Sequence, residues 1–353
     1  MAGYAAVAGA AGGLRPGPDN RWNVHPFNPD NNVNGLPGLP RGKADAGHDE
    51  AFYNTSNAPL MEQQDRFVTK TLDELGTFPV LWDIGNEVGL DTRISHAWIQ
   101  HWADFFDAYE ASHPGMQLLL TVDCNGGHGH YEAVDNLDVV NVHGYEDSFP
   151  FTLDANPEAG PEESRVDAKR IQAALDQHFL TYRKPIINTR IVSGPDRKRP
   201  LNDRPGNALE TRHILWAYFF GGAHFISFRT DRDDSWALPP LTTENQQVHL
   251  RKFIDSFEFW KCKPRIEGIV ASGDAVVLAE AGRQYAFYAP NGKQFGERFT
   301  ADLAEAAGKV FEARWFDPRS GALGESFRVT ASASVAFELP SDEDWALLLT
   351  RGQ

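Results

Sequence analysis

The chain has 353 residues, of which 41% are hydrophobic and 12% aromatic, enough for a sizeable core and too much for disorder throughout. Its formal net charge of -16 repels phosphate backbones and anionic membrane surfaces, which argues against nucleic acid and lipid as partners and is indifferent to neutral sugars. The two cysteines, Cys124 and Cys262, fit no metal spacing and no disulfide framework, and no apolar run is long enough to cross a bilayer.

The opening stretch Met1-Ala2-Gly3-Tyr4-Ala5-Ala6 is small and apolar. It lacks the basic leader and strongly hydrophobic run of a secretory signal, so it is expected to be a flexible start, and the cellular location stays open. The first 55 residues carry no periodic pattern. Their Gly, Pro, Asn and Asp, as in His25-Pro26-Phe27-Asn28-Pro29-Asp30-Asn31-Asn32, suit an ordered loop. A helix is expected after Asn57, with Pro59 in its first turn, running to about residue 75. Leu60, Phe67, Val68, Leu72 and Leu75 should line its apolar face.

A short apolar strand follows at 79–84, then a helix at 92–112 with Ile94, Trp98, Trp102, Phe105 and Tyr109 at helical spacing. Strands are expected at 117–122, 138–143, 185–189 and 223–228, and helices at 164–182, 207–220 and 243–260. Continuous apolar strands alternating with helices imply a parallel sheet covered on both faces. Five such strands are visible, where a closed (β/α) barrel needs eight. After Pro264 the pattern changes to short runs at 275–280, 284–289, 310–316, 334–339 and 345–349. Turn signals such as Asn291-Gly292 and Asp317-Pro318-Arg319-Ser320-Gly321 separate them, so a small antiparallel β domain, a sandwich, is expected. The expected division is 1–55 irregular, 56–264 (β/α) domain and 265–353 β domain.

The segment with the clearest chemistry is Trp82-Asp83-Ile84-Gly85-Asn86-Glu87. Residues at the carboxyl end of a parallel strand face the ligand crevice. A glutamate there, partly stripped of water, holds a proton for a leaving group, which makes Glu87 the candidate catalytic acid/base and Asn86 a candidate partner for a sugar hydroxyl. The competing reading is that Glu87 caps the next helix. Asp83 lies on the same side four residues earlier and is expected to be a structural carboxylate paired with a buried cation.

His143 and Tyr145 end the 138–143 strand and alternate to one side, where they could orient a sugar or serve as packed core groups. Asp123, Asn125, His128 and His130 follow the 117–122 strand in a glycine-rich loop. Such a loop gives a metal no fixed geometry, so it is expected to be a polar cleft rim, with Asp123 a substrate contact and no metal or cofactor. Arg190 follows the 185–189 strand and either binds substrate or pairs with Asp83 or Glu87. Trp236, on the loop after the 223–228 strand, suits stacking on a sugar ring, whereas Trp98, Trp102 and Trp216 fall at core positions.

Taken together, His25 to Gly35, Trp82 to Glu87, Val142-His143-Gly144-Tyr145, Lys184-Pro185-Ile186-Ile187-Asn188-Thr189, Ala313 to Gly321 and Asp344 to Leu349 resemble the clan A barrel glycoside hydrolases of the cellulase-like superfamily. The likeness is greatest to the apiosidase-like group with a C-terminal β domain. It implies a (β/α) TIM-type barrel of which strands four to eight are visible, hydrolysis of a polysaccharide or oligosaccharide, and Glu87 as proton donor beside the sugar-binding Asn86. It also places an acid after the seventh strand as nucleophile, where this chain has Arg190. Asp123, Glu146, Asp196, Glu210 or Asp231 would then have to substitute, or an inverting geometry would apply, since a retaining pair stands about 5 Å apart. The alternatives are a glycan-binding relative without catalysis and a fragment or a barrel completed by another chain. In relatives the C-terminal region is described as collagen-binding; nothing in this sequence points to collagen, and the domain either assists glycan binding or seals the barrel's side.

Overall fold

The computed structural model describes residues 25–41, 51–85, 96–125, 134–143, 167–188, 191–192, 208–225, 228–229, 241–264, 268–290 and 298–351. The chain divides into two compact units, Met1–Phe149 and Pro150–Gln353.

In the first unit, helix α1 (Ala58–Leu75) starts where the sequence requires: the Asn57 side chain accepts from the Leu60 N–H and proline occupies the first turn. Its buried stripe is Leu60, Gln64, Val68 and Leu72, one residue every four, with Met61 beside it. Phe67 and Leu75, expected on that face, are 53% and 44% exposed. The polar Gln64 takes the core position instead, because its amide donates to the Phe52 carbonyl and accepts from the Trp98 indole.

Strand β1 (Leu81–Asp83), helix α2 (His96–Ser112) and strand β2 (Leu119–Thr121) complete a βαβ unit. β1 and β2 pair in parallel, Leu81 opposite Leu119 and Asp83 opposite Thr121. The helices run parallel as well: Asp65 meets His101 and Asp73 meets Tyr109, both with the same sequence offset. Trp98, Ile99, Trp102, Ala103, Phe106 and Tyr109 fill the core, and Phe105 is only partly buried. Strand β3 (Asp123–Asn125) continues the chain after Val122 and pairs in parallel with β4 (Val140–His143). The 25–41 segment is the ordered loop its composition predicts. Asn28 is buried, its side chain accepts from the Asp30 N–H, and Asn32 accepts from Asn34 in the same way.

The second unit opens with helix α3 (Ala168–Tyr182), capped by Asp167, and strand β5 (Ile186–Asn188). Strand β6 (Ile191–Val192) comes next, followed by helix α4 (Ala208–Phe220) and strands β7 (Ala223–Phe225) and β8 (Phe228–Arg229). β5 pairs in parallel with β7, and β6 with β8. Helix α5 (Leu241–Ile254) ends earlier than the apolar pattern suggests. Turns follow it, and a short 3-10 segment at Phe259–Lys261 leaves Trp260 66% exposed.

The β domain has two sheets. The larger contains β9 (Lys263–Pro264), β11 (Val276–Glu280), β12 (Gln284–Ala289), β14 (Val310–Asp317), β15 (Ala322–Thr330) and β17 (Trp345–Thr350). Their spatial order is β15-β14-β17-β12-β11-β9. The smaller contains β10 (Val270–Ser272), β13 (Arg298–Ala301) and β16 (Val335–Glu338). β9, β10, β13 and β15 are additions to the strands expected from sequence. One core lies between the sheets, built on Val277, Tyr285, Phe287, Phe299, Phe311, Phe337 and Leu347.

The other face of the larger sheet is covered by helices. Trp216 and Phe220 of α4 stack on Tyr288 with centroids 5.1 and 5.8 Å apart, and Phe253 of α5 meets Phe316 at 5.3 Å. Burial on both faces explains why β12 is apolar without alternation. It also explains why α4 is buried all round from Arg212 to Phe220. The Arg212 guanidinium forms two 2.8 Å hydrogen bonds with the Asp344 carboxylate, which also accepts from the Tyr288 hydroxyl. Gln172 of α3 donates to the carbonyls of Phe220 and Val277, tying α3, α4 and β11 together.

Candidate active site

The candidate site is built from the carboxyl ends of the parallel strands in the first unit. β1 does not stop at Asp83 in hydrogen-bonding terms. The Ile84 N–H donates to the Thr121 carbonyl at 3.0 Å, and the Gly85 carbonyl accepts from the Asp123 N–H at 3.0 Å. The parallel ladder therefore holds the chain as far as Gly85, and Asn86 and Glu87 follow directly. Trp82 and Ile84 are buried, which anchors this strand end in the core.

Polar side chains fill the strand ends. Asp83 is 3% exposed, Asp123 0% and Asn141 1%. Asp83 Oδ1 accepts from the N–H groups of Gly85 and Asp123, both at 3.1 Å, and its Oδ2 accepts from the Asn141 amide at 3.3 Å. The donors described at Asp83 are neutral amides. Thr121 is fully buried and its hydroxyl donates to the Val139 carbonyl at 2.7 Å. Four strand segments bring these groups together at two successive levels, Asp83 opposite Thr121 and, two residues further on, Asp123 opposite Asn141.

Of the sequence-predicted residues, Asp123 opens β3 inside the sheet and is sealed from solvent, so it belongs to the strand rather than to a polar rim loop. His143 ends β4 opposite Asn125. Glu210 falls within α4. Asn86, Glu87, Tyr145, Arg190 and Trp236 lie outside the described residues, as do Glu146, Asp196, Asp231, His128 and His130. Strand segments β5 and β6 flank Arg190 on both sides. Asn141 was not singled out from sequence. The signal was there: one amide inside the apolar run Val139-Val140-Asn141-Val142.

Elsewhere in the first unit, His25 is 7% exposed, and its Nδ1 accepts from the Phe27 N–H at 3.2 Å. Burial lowers its pKa, which keeps the ring neutral. Among the described residues no group of three or more His, Cys, Asp or Glu is placed to hold a metal ion. No described helix is long and apolar enough to cross a membrane.

Solved structures share the fold. One, described as a glycoside hydrolase, superposes with a TM-score of 0.60 at 15% identity, covering 84% of this chain and 69% of that one. A glycoside hydrolase family 5 protein from Bacteroides vulgatus superposes with a TM-score of 0.58, also at 15% identity, covering 83% and 69%. The fold is TIM-barrel-like. A C-terminal antiparallel sheet accompanies it, and residues 266–350 match the family described as "Putative collagen-binding domain of a collagenase". No curated protein matches the chain in sequence.

Proposed function

We propose that this protein is a glycoside hydrolase that cleaves a polysaccharide or oligosaccharide, with Glu87 as proton donor and Asn86 as a sugar ligand. The observation that carries the reading is the hydrogen-bonded hold on Gly85 at the carboxyl end of β1, directly before Asn86-Glu87. In TIM-barrel-like folds the reacting groups sit at that end of the strands. The fold likeness supports the reading, and the buried polar level beneath it supplies a rigid base for a positioned carboxyl.

Protonating the leaving oxygen is the step a raised-pKa carboxyl performs in both retaining and inverting hydrolysis. His143, Tyr145 and Trp236 would then orient and stack the sugar, and no cofactor is required. Arg190 supports a second reading, a glycan-binding relative without turnover, because a guanidinium cannot serve as nucleophile or base. A polysaccharide panel separates the two. Released reducing ends support hydrolysis, whereas ligand-induced thermal shifts with no released sugar support binding alone.

The C-terminal domain we assign to support rather than ligand capture. One face of its larger sheet is taken up by Trp216, Phe220 and Phe253. We keep the division 56–264 and 265–353 as the functional one, barrel and supporting β domain, although residues 150–264 and the whole of 265–353 fall in the same compact unit.

A further inference from the structure

Helix α1 buries Leu60, Gln64, Val68 and Leu72 in the core and turns a second side to α2, where Asp65 meets His101 and Asp73 meets Tyr109. A third side, about 120–160° round the helix from both aspartates, carries Phe67. Phe67 is 53% exposed there, and Leu75, about two turns further on, is 44% exposed. The chain turns once more past the helix, with the Phe78 N–H donating to the Leu75 carbonyl at 3.0 Å, and Phe78 is 54% exposed. Single apolar side chains in solvent are ordinary. Three along one side of one helix form a stripe.

The charges beside the stripe cancel. Glu62 pairs with Arg66 and Lys70 with Glu74, each one turn apart, and all four side chains are exposed. The whole chain carries a net charge of -16, which pushes copies apart over most of its surface. Here that repulsion is locally absent. The order of groups is also self-complementary. Phe67 and Phe78 stand at the two ends, Lys70 and Glu74 lie between them, and both pairs are centred at the level of Leu72. A two-fold axis at that level lays two copies of α1 antiparallel. It sets Phe67 against the partner's Phe78 and Lys70 against the partner's Glu74, each contact made twice.

We propose that this side of α1 is the interface of a homodimer, covered by a second copy of the chain. A single helix pair buries less than the roughly 1,200 Å² of a permanent interface, so the dimer is reversible, with a Kd on the order of 10 µM.

Sedimentation velocity on the full chain tests this. Wild type should be monomeric at about 1 µM and mostly dimeric at about 100 µM. Lys70→Glu gathers four acids at the axis and Glu74→Lys four bases, so each should weaken association by at least about tenfold. The two changes move the net charge in opposite directions, so a general charge effect would weaken one dimer and strengthen the other. An equimolar mixture of the two variants should dimerise like wild type, because acids then face bases across the axis. Phe67→Ser leaves every charge in place and should keep the chain monomeric to about 200 µM. Unfolding of each variant at about 1 µM should match wild type, because the stripe lies in solvent in the monomer.

The proposal is overturned if wild type stays monomeric up to about 200 µM, if Glu74→Lys associates as tightly as wild type, or if the mixture stays monomeric where wild type dimerises. Should one charge variant fail to fold, the other and Phe67→Ser decide: either of them dimerising like wild type places the interface elsewhere.

Discussion

The residue that most clearly links burial to pH is His213. It sits in α4 at 1% exposure, and neither ring nitrogen has a hydrogen-bond partner. Its neighbours are the Arg212–Asp344 pair and the Tyr288 ring, 6.3 Å away. Burial pushes its pKa down to about 4, with opposing contributions from Asp344 and Arg212. The folded state therefore resists the proton that the unfolded chain accepts below about 6.5. This contribution to stability is complete above that pH and is lost as pH falls from 6.5 toward 4, on the order of 3 kcal/mol in all. His213→Leu should flatten the decline in unfolding free energy over that window by about one proton's worth, while leaving stability at pH 7 unchanged or raised. Denaturant titrations at pH 4.5, 5.5 and 7 check this, and an unchanged slope would contradict it.

The same scale shows where sequence reasoning stops. Asp83 was identifiable as a strand-end carboxylate, because it closes the apolar run expected at 79–84. Its partners were not identifiable. Of those described, two are backbone N–H groups and one is an amide from a strand 58 residues away, and nothing local encodes that meeting.

At the scale of elements, periodicity located helices and strands well wherever one face met a core. Helix α1 began at the predicted Asn57 cap and carried Leu60, Val68 and Leu72 inward. The errors came at residues on the boundary of the apolar stripe. Phe67 neighbours Val68 in sequence but lies about 100° away on the helix, enough to bring it into solvent. Leu72→Ala should therefore cost about 2–5 kcal/mol, and Phe67→Ser under about 0.5 kcal/mol. Thermal or urea unfolding of the two variants tests the assignment, and equal losses would refute it.

Strand β15 was missed for a related reason. Seven of its first residues are exposed and it holds Gly324, Glu325 and Ser326, so it has no alternation to detect. It forms because β14 offers a long paired edge from Val310 to Asp317. Conversely, β12 was visible as a strand, but its unbroken apolar run hid the fact that helices cover its second face.

For the molecule as a whole, the change of pattern at Pro264 marks a change of secondary structure rather than a break in packing. In the second unit α4 has its aromatic side pressed on Tyr288 and Phe316, and Asp344 reaches back to Arg212. Removing residues 265–353 would expose Trp216 and Phe220 and strand the buried guanidinium. A chain ending at residue 264 should show no cooperative melt and should bind hydrophobic dyes. A sharp transition at the full-length temperature would show that the β domain is a separable module.

The account stands on Glu87 as the group that protonates the leaving sugar oxygen. The direct measurement is single-turnover hydrolysis by wild type and Glu87→Gln on a glycan that wild type cleaves, with binding followed by calorimetry in parallel. The account predicts a fall in the chemical step of at least about 100-fold with affinity nearly unchanged. Cleavage at the wild-type rate by Glu87→Gln would contradict it.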